Sequence, residues 1–404
     1  MNRILHFGPG IFFRAHLADY TFDAGGWPIT GVSLRSAAIR DGLAAQQYNY
    51  TLAVQGEELK QIRVIRDILV APENPDAVLG AINDPTVNII SATVTEKGYH
   101  LRPDGKLNLD DADIQSDIQG GGPRTLIGFL ARGLASRTQP VTVLSCDNRR
   151  ANGDTLEAAV RAFSAVAGLH LVAKVEFPNC VVDRITPATT DALREATGDP
   201  MAVACESFKE WVIEDRFASD RPNWPGVQWV DDVAPHELRK LRMLNGAHSF
   251  LAYAGTIAGH QFVHQAICDP KLRATAKALM KESAETLKPE LQAAADNYAD
   301  ALILRFENPQ LEHYLRQIAM DGSEKVPYRL IGTLRDRIAL GLPSPAISMA
   351  VRAWINFCIS EVKANEPLDD PRAADLANAA SDDNPARALL SVIGAEDLAD
   401  IIAE

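Results

Sequence analysis

Ile4-Leu5-His6-Phe7-Gly8-Pro9-Gly10 opens the chain with a short apolar run that ends in a glycine-rich turn, and a helical segment follows. A strand that turns through glycines into a helix lets the backbone approach a pyrophosphate, and the helix N-terminus favours its negative charge. The third glycine of the dinucleotide fingerprint is missing, because Phe13 stands there. The acid that usually follows the second strand is missing too: Leu34 is followed by Arg35 and Ser36. An acid there would bind the ribose 2′-hydroxyl of NAD, whereas an arginine could meet the 2′-phosphate of NADP. A tight turn with no ligand and a surface arginine describe the same residues, so the motif alone leaves the cofactor open.

Outward from this turn, residues 31–34, 62–70, 87–94, 141–144 and 171–175 read as further strands, and a helical segment covers 153–167. Strands alternating with helices predict βαβ units and a parallel sheet. Near residue 235 the texture changes. The segments 272–287, 289–305 and 345–362 are rich in Ala, Leu and Glu and predict helices, and the Pro- and Asp-containing tail predicts short helices joined by turns. The expected organisation is an α/β Rossmann-like dinucleotide-binding domain over 1–235 and a mainly α-helical substrate domain over 236–404.

The length of 404 residues suits two or three domains with a large core. A hydrophobic content of 47% and a charged content of 23% exclude disorder as the main theme. No run of eighteen apolar residues predicts a membrane span, and Gly8 arrives before a signal-type core can form, which disfavours secretion. The net charge of −13 lies mostly in residues 361–404, with eleven acids and three bases, and no basic stripe suits nucleic acid. The five cysteines are scattered without a C-x-x-C pair. They fit free thiols in a reducing cytoplasm, and no zinc or other metal site is expected.

Residues 235–259 predict one long helix, with Pro235 suited to its first turn. On it, Glu237, Lys240, Asn245 and His248 share an arc of about 140° at the α-helical advance of about 100° per residue. Apolar neighbours such as Met243, Phe250, Leu251 and Tyr253 point to burial. A buried lysine falls from its usual pKa of about 10.4 towards a range useful for general acid–base work. Asn245 could donate to a developing oxyanion, His248 could orient a substrate hydroxyl, and Glu237 could pass a proton outward. A solvated helix face with an i,i+3 Glu–Lys pair would show the same spacing. Other dehydrogenase and hydrolase signatures are missing: no Tyr-x-x-x-Lys, no Cys/His cluster, no zincin spacing after His236-Glu237, no G-x-S-x-G and no Walker loop. Metal-free hydride transfer assisted by a lysine survives the elimination.

Glu237-x-x-Lys240-x-x-x-x-Asn245-x-x-His248 resembles the active-site helix of the polyol-specific long-chain dehydrogenases, the mannitol dehydrogenase family. The segments Phe7-Gly8-Pro9-Gly10-Ile11-Phe12-Phe13-Arg14-Ala15-His16, Thr95-Glu96-Lys97-Gly98-Tyr99, Ser145-Cys146-Asp147-Asn148, Val182-Asp183-Arg184-Ile185-Thr186-Pro187 and Asp321-Gly322-Ser323 carry the same resemblance. It implies an NAD(H) enzyme, with Gly8, Gly10, Ile11, Phe12, Arg35 and Asp183 on the cofactor side and NADP not excluded. It further implies Lys240 as general acid/base, Asn148 and Asn245 as oxyanion donors, His248 as the substrate-orienting residue and Glu237 as a proton relay. Asn148, beside a strand end, is preferred over Asn152 for the first donor. Around Cys205-Glu206, Trp211-Val212-Ile213-Glu214-Asp215, 240–246 and 317–323 the chain is more similar to the sugar-acid branch, which interconverts D-fructuronate and D-mannonate. An arginine that contacts substrate in mannitol-specific members is replaced by Gln317. A sugar acid needs a cation, for which Lys325 and Arg329 are the candidates. A mannitol or arabinitol dehydrogenase and a tagaturonate reductase are the alternatives; in each case the partner is a small sugar acid or polyol.

Overall fold

A computed structural model describes residues 2–403 of the protein, the side chain of Glu96 in the 95–99 motif excepted. The chain divides into two compact units between Ala234 and Pro235.

Six parallel strands form the main sheet of the N-terminal unit: β1 (Arg3–Phe7), β2 (Ile29–Ser33), β3 (Ile65–Val70), β4 (Val87–Ala92), β5 (Val141–Ser145) and β6 (Val175–Glu176). Their spatial order is 3-2-1-4-5-6. Alternate residues face opposite sides, so Leu5, Val32 and Ile90 enter one core with Leu130, Val160 and Phe163. Ile4, Ile29 and Ile89 enter the other, with Phe13, Leu17 and Trp211. Burial on both faces is why these strands read as near-continuous apolar runs. Side-chain caps start the covering helices: Asn74 accepts from the Ala77 amide at 3.0 Å, and Thr125 from the Gly128 amide at 2.9 Å.

Three expectations need correction. The run 62–70 is not one strand: Lys60–Ile62 pairs antiparallel with Tyr50–Val54, and β3 begins only at Ile65. Of 171–175 only Val175 is in a strand, β6. The segment 289–305 is two helices, Pro289–Gln292 and Ala295–Phe306. Two three-stranded sheets had no clear sequence signal; one joins Val203–Cys205 to Tyr50–Val54 and Lys60–Ile62, the other joins Gln228–Val230 and Cys180–Asp183 to Glu210–Glu214.

The C-terminal unit is helical around a single core. The helices Gly246–Ile257, Pro270–Ala284 and Pro345–Lys363 supply its centre, including Phe250, Leu251, Leu279, Ile347 and Trp354. The last segments close it, with Leu389, Leu390, Leu398 and Ile402 all buried in the same cluster. Arg352 also donates to the Ile402 carbonyl at 2.6 Å. Among the described residues no helix is long and apolar enough to cross a membrane.

Candidate active site

In the N-terminal unit the order of strands reverses between β1 and β4, where open parallel sheets place their ligands. Gly8, just past β1, has φ +85°, and a Cβ there would lie 2.1 Å from the Thr93 carbonyl oxygen. Only glycine fits. The Thr93 hydroxyl donates to the Gly8 carbonyl at 2.8 Å. Beneath the turn, His6 lies 2.8 Å from the Ser91 hydroxyl and stacks on Phe13 with ring centres 3.8 Å apart. Burial lowers the His6 pKa to about 3, against the opposing pull of the Gly8 carbonyl, so the ring is neutral. Phe13 thus replaces the third glycine by a buried ring stack rather than by close backbone packing.

The first intrahelical bond after the turn runs from the Arg14 amide to the Gly10 carbonyl at 3.1 Å. The amides of Ile11 and Phe12 precede it and have no partner inside the helix. A Cβ on Gly10 would meet nothing closer than 3.9 Å. This side-chain-free helix start fits the pyrophosphate of a dinucleotide. Arg35 is exposed in the turn after β2, which the Ser33 hydroxyl shapes by donating to the Ser36 carbonyl at 2.7 Å.

Asp147, after β5, accepts from the Tyr99 hydroxyl at 2.6 Å and from the Val94 amide at 3.3 Å. It fastens the loop after β4 to the end of β5. Burial first, then the Asp147 charge, raises the Tyr99 pKa, so the phenol stays a neutral donor. Asn148 follows as an exposed residue. Asn152 is fully buried; its amide donates to the Asp147 and Cys180 carbonyls at 3.0 and 2.9 Å, and its oxygen accepts from the Cys180 amide at 2.9 Å. Those bonds commit Asn152 to the scaffold. Asp183 lies outside the main sheet, opposite Glu210 in an antiparallel pair. Its neighbour Arg184 is locked to Asp19 at 2.7 Å.

In the C-terminal unit the expected long helix is interrupted. Ala234–Arg239 and Gly246–Ile257 are α-helical, but Lys240–Asn245 is a π turn. Such turns are rare and frequent at functional sites. An i→i+5 turn advances only roughly 80° per residue, so Lys240 and Asn245 stand about 50° apart instead of about 140°. Glu237, Lys240, Asn245 and His248 then share an arc of about 70°, half the expected width. A second π turn, Pro327–Ile331, packs on the first and carries Arg329. At their crossing a Cβ on Gly246 would touch the Arg329 carbonyl oxygen at 3.4 Å.

The His248 ring packs against Phe306 at 4.5 Å and meets His313 edge-on at 5.5 Å. Burial pushes its pKa well below 6.5, and the charges of His313, Arg305 and Arg329 push the same way. Neither His248 nor the Asn245 side chain has a hydrogen-bond partner among the described residues, which leaves both for a substrate. Arg329 donates to the Ser249 hydroxyl at 3.1 Å, and no carboxylate pairs with it among the described residues. Burial lowers its pKa, and Tyr253 and Asp321 oppose the shift. Lys325 is engaged elsewhere, donating to the Met320 carbonyl at 2.6 Å and pairing with Asp321 at 3.4 Å. The structure therefore brings Lys240, Asn245, His248 and Arg329 onto adjoining turns and holds the Lys325 ammonium at its own turn.

Sequence reasoning passed over Asp147 and Tyr99 as individuals, although both lie in matched segments. His313, Phe306 and Ser249 gave no signal, since their relation to His248 and Arg329 exists only in three dimensions. Among the described residues, one grouping could hold a metal: His100, Asp111 and Asp113 offer ligand atoms within 4.8 Å of one another. Asp111 already caps the helix after it, accepting from the Asp113 amide at 2.9 Å.

The sheet order and its glycine turn place the N-terminal unit in the dinucleotide-binding class of oxidoreductase folds. The chain belongs to the mannitol dehydrogenase family of oxidoreductases, enzymes of secondary alcohols: the family's Rossmann domain matches residues 2–226 and its C-terminal domain residues 232–402. D-mannonate oxidoreductase of Escherichia coli (strain K12) is 38% identical over 407 residues, covering 93% of this chain and 84% of its own. Mannitol 2-dehydrogenase of Phaeosphaeria nodorum is 36% identical, over 92% of this chain and 72% of its own. The structure of Pseudomonas fluorescens mannitol 2-dehydrogenase with NAD and D-mannitol aligns at TM-score 0.82 and 34% identity, covering 99% of this chain and 90% of that one. A D-sorbitol dehydrogenase aligns at 0.88 and 30%, covering 98% and 89%.

Proposed function

We propose that this enzyme reversibly reduces a keto-sugar acid, D-fructuronate, to its hydroxy acid, D-mannonate, with NADH. The observation that carries the reading is Arg329. A largely buried guanidinium without an anionic partner costs several kcal/mol, and a substrate carboxylate is the group that would offset it. A neutral polyol would leave that charge unpaired.

The chemistry that the cofactor supplies when bound is hydride transfer to the ketone carbon. Gly8 and Gly10 with the Ile11 and Phe12 amides would hold its pyrophosphate, and Asp183 is the residue we assign to its nicotinamide end. The proton comes from Lys240, whose ammonium passes it to the forming alkoxide. Asn245 and Asn148 donate to that oxygen as its charge develops. His248, neutral because buried, orients the adjacent hydroxyl, and Glu237 returns a proton to Lys240. The chemistry needs no metal, and the enzyme acts in the cytoplasm.

The test is a panel of keto-uronates and ketoses assayed by loss of NADH absorbance. Fructuronate should give the highest kcat/KM. Higher values for fructose, or for mannitol in the reverse direction, would reassign the enzyme to polyols; a maximum on tagaturonate would change the stereochemistry and keep the sugar-acid class.

A further inference from the structure

We propose that Arg184 is a positioning residue for the cofactor: it fixes the helix after the glycine turn relative to Asp183, so that the pyrophosphate and the nicotinamide end are held in one frame. The inference rests on the assignment of those two places to the cofactor, and goes beyond it because Arg184 acts through other residues.

Arg184 is buried and follows Asp183 at the end of the strand Cys180–Asp183. Its place in the chain is fixed from both sides. Asp183 stands opposite Glu210 in the antiparallel pair. The Ile185 amide donates to the Glu206 carboxylate at 2.6 Å, and the Ile185 carbonyl accepts from the Glu206 amide at 3.1 Å. From this anchored stretch the guanidinium donates to three acceptors: the Ala15 carbonyl at 2.6 Å, the Asp19 carboxylate at 2.7 Å and the Glu206 carbonyl at 3.1 Å.

Ala15 is the last residue of the helix Ile11–Ala15, whose first amides are those assigned to the pyrophosphate. Five helical residues span roughly 7 Å, so the two ends of this helix move as one body. Its last carbonyls have no partner inside the helix. Side chains from elsewhere take two of them: the Tyr50 hydroxyl donates to the Arg14 carbonyl at 2.5 Å, and Arg184 donates to that of Ala15. His16 then breaks the helix, with φ −123° and ψ −88°, and Asp19 lies in the first turn of the next one, Leu17–Ala24. One guanidinium therefore ties the end of one helix and the start of the next to the strand that bears Asp183.

The side chains of Asp19 and Arg184 are each 2% exposed. A buried ion pair gains little net stability over apolar residues of similar volume, because desolvation offsets the attraction. What the guanidinium adds is direction, since its planar fork suits one arrangement of acceptors. Burial works against the Asp19 charge, but Lys60 and Lys209, at 2.5 and 2.9 Å, bring its pKa down to about 2. Asp19 thus stays ionised at neutral pH and keeps two lysines when Arg184 is shortened.

Arg184→Lys keeps the charge and loses the fork, since a single nitrogen replaces donors at two places. Calorimetric titration of the full chain with NADH and with ADP-ribose tests the role. ADP-ribose lacks the nicotinamide and engages only one end of the frame. In Arg184→Lys, NADH should bind about tenfold more weakly, the effect of one charge-assisted hydrogen bond, and ADP-ribose within about threefold of wild type. Asp183→Asn should show the same NADH-selective loss, and Lys209→Ala should leave both affinities near those of the wild type. Asp19→Asn keeps the side-chain shape and carries the test, with NADH again the ligand that is weakened, if Arg184→Lys lowers the melting temperature too far. The proposal is overturned if the folded variant binds NADH normally while Asp183→Asn does not, or if NADH and ADP-ribose lose affinity equally. A NADH-selective loss in Lys209→Ala as large as that in Arg184→Lys overturns it too. Normal NADH binding in Asp183→Asn would bring down the nicotinamide assignment and the proposal with it.

Discussion

Lys240 and Asn245 begin and end one π turn, so two residues that an α-helix would splay apart lie close to one line along the helix. The proposed proton donor and oxyanion donor owe their alignment to one surplus residue in that turn. Lys240→Ala should fold and bind NADH yet lose about 10²–10⁴-fold in turnover, as expected for a positioned acid/base group. Steady-state rates with cofactor binding followed by fluorescence check this; more than about a tenth of the wild-type rate would rule out the role.

Deleting Leu241 should convert the π turn to a regular helix. Arg242 is anchored by Thr286 at 2.6 Å and by Asp336, and Met243 and Leu244 are buried, so the later part of the helix should keep its place. Lys240 and Asn245 would then stand four α-helical residues apart, about 40° from one another, close to the roughly 50° that the π turn gives. The expected result is a folded protein by circular dichroism whose turnover stays within about tenfold of wild type, whereas inserting one alanine after Leu241 should break the alignment. A loss of a hundredfold or more in the folded deletion variant would show that the rotation about the helix axis is not what the turn sets.

Arg329→Ala should discriminate between substrates by charge. Loss of a charge-assisted bond of about 1.5–3 kcal/mol corresponds to roughly ten- to hundredfold in kcat/KM for fructuronate. Any slow reduction of uncharged fructose should be nearly unchanged. Equal losses on both substrates would make Arg329 a structural residue.

Cofactor preference is set against Arg35. NADH should give the higher kcat/KM, as the resemblance to the mannitol dehydrogenase family implies, although Arg35 could meet a 2′-phosphate. If NADPH proves better, Arg35→Ala should abolish the preference.

The buried histidines predict an acid-labile fold. Burial lowers His6 and His16 to about 3 and His248 well below 6.5, whereas the unfolded chain titrates near 6.5. Between those limits the unfolded state holds more protons, so stability rises with pH and is lost as pH falls below about 6.5. His16 packs between Phe12 and Trp211, each ring 5.0 Å away. His16→Phe should therefore reduce the slope of unfolding free energy against pH near pH 5 by about 1.4 kcal/mol per unit. Urea titrations across pH 4.5–6.5 measure it, and an unchanged slope would mean that His16 titrates alike in both states.

The main sheet was legible because parallel strands buried on both faces are apolar runs of fixed length, as in Val87–Ala92 and Val141–Ser145. The small sheets were not, because Tyr50–Val54 and Glu210–Glu214 mix polar residues into their alternation. Residues 62–70 misled for a related reason: Ile62 and Ile65 are both buried, and nothing in their types marks the change of sheet between them. On the Lys240 helix the residue types were readable and the turn was not, since a π turn has no composition of its own. Lys325 and Arg329 looked equivalent four residues apart; only the bonds to Met320 and Ser249 separate them.

The closure of the C-terminal core by Leu398 and Ile402 orders events on the ribosome. The N-terminal unit has all its residues once position 234 has been made. The helix that bears Lys240 is finished soon afterwards, but its partners on Pro345–Lys363 and the terminal segments are not. At ordinary rates of synthesis the remaining stretch takes roughly 10–30 s. During that interval Phe250, Leu251 and Tyr253 have water where their core will be, and a chaperone has its opportunity on that face.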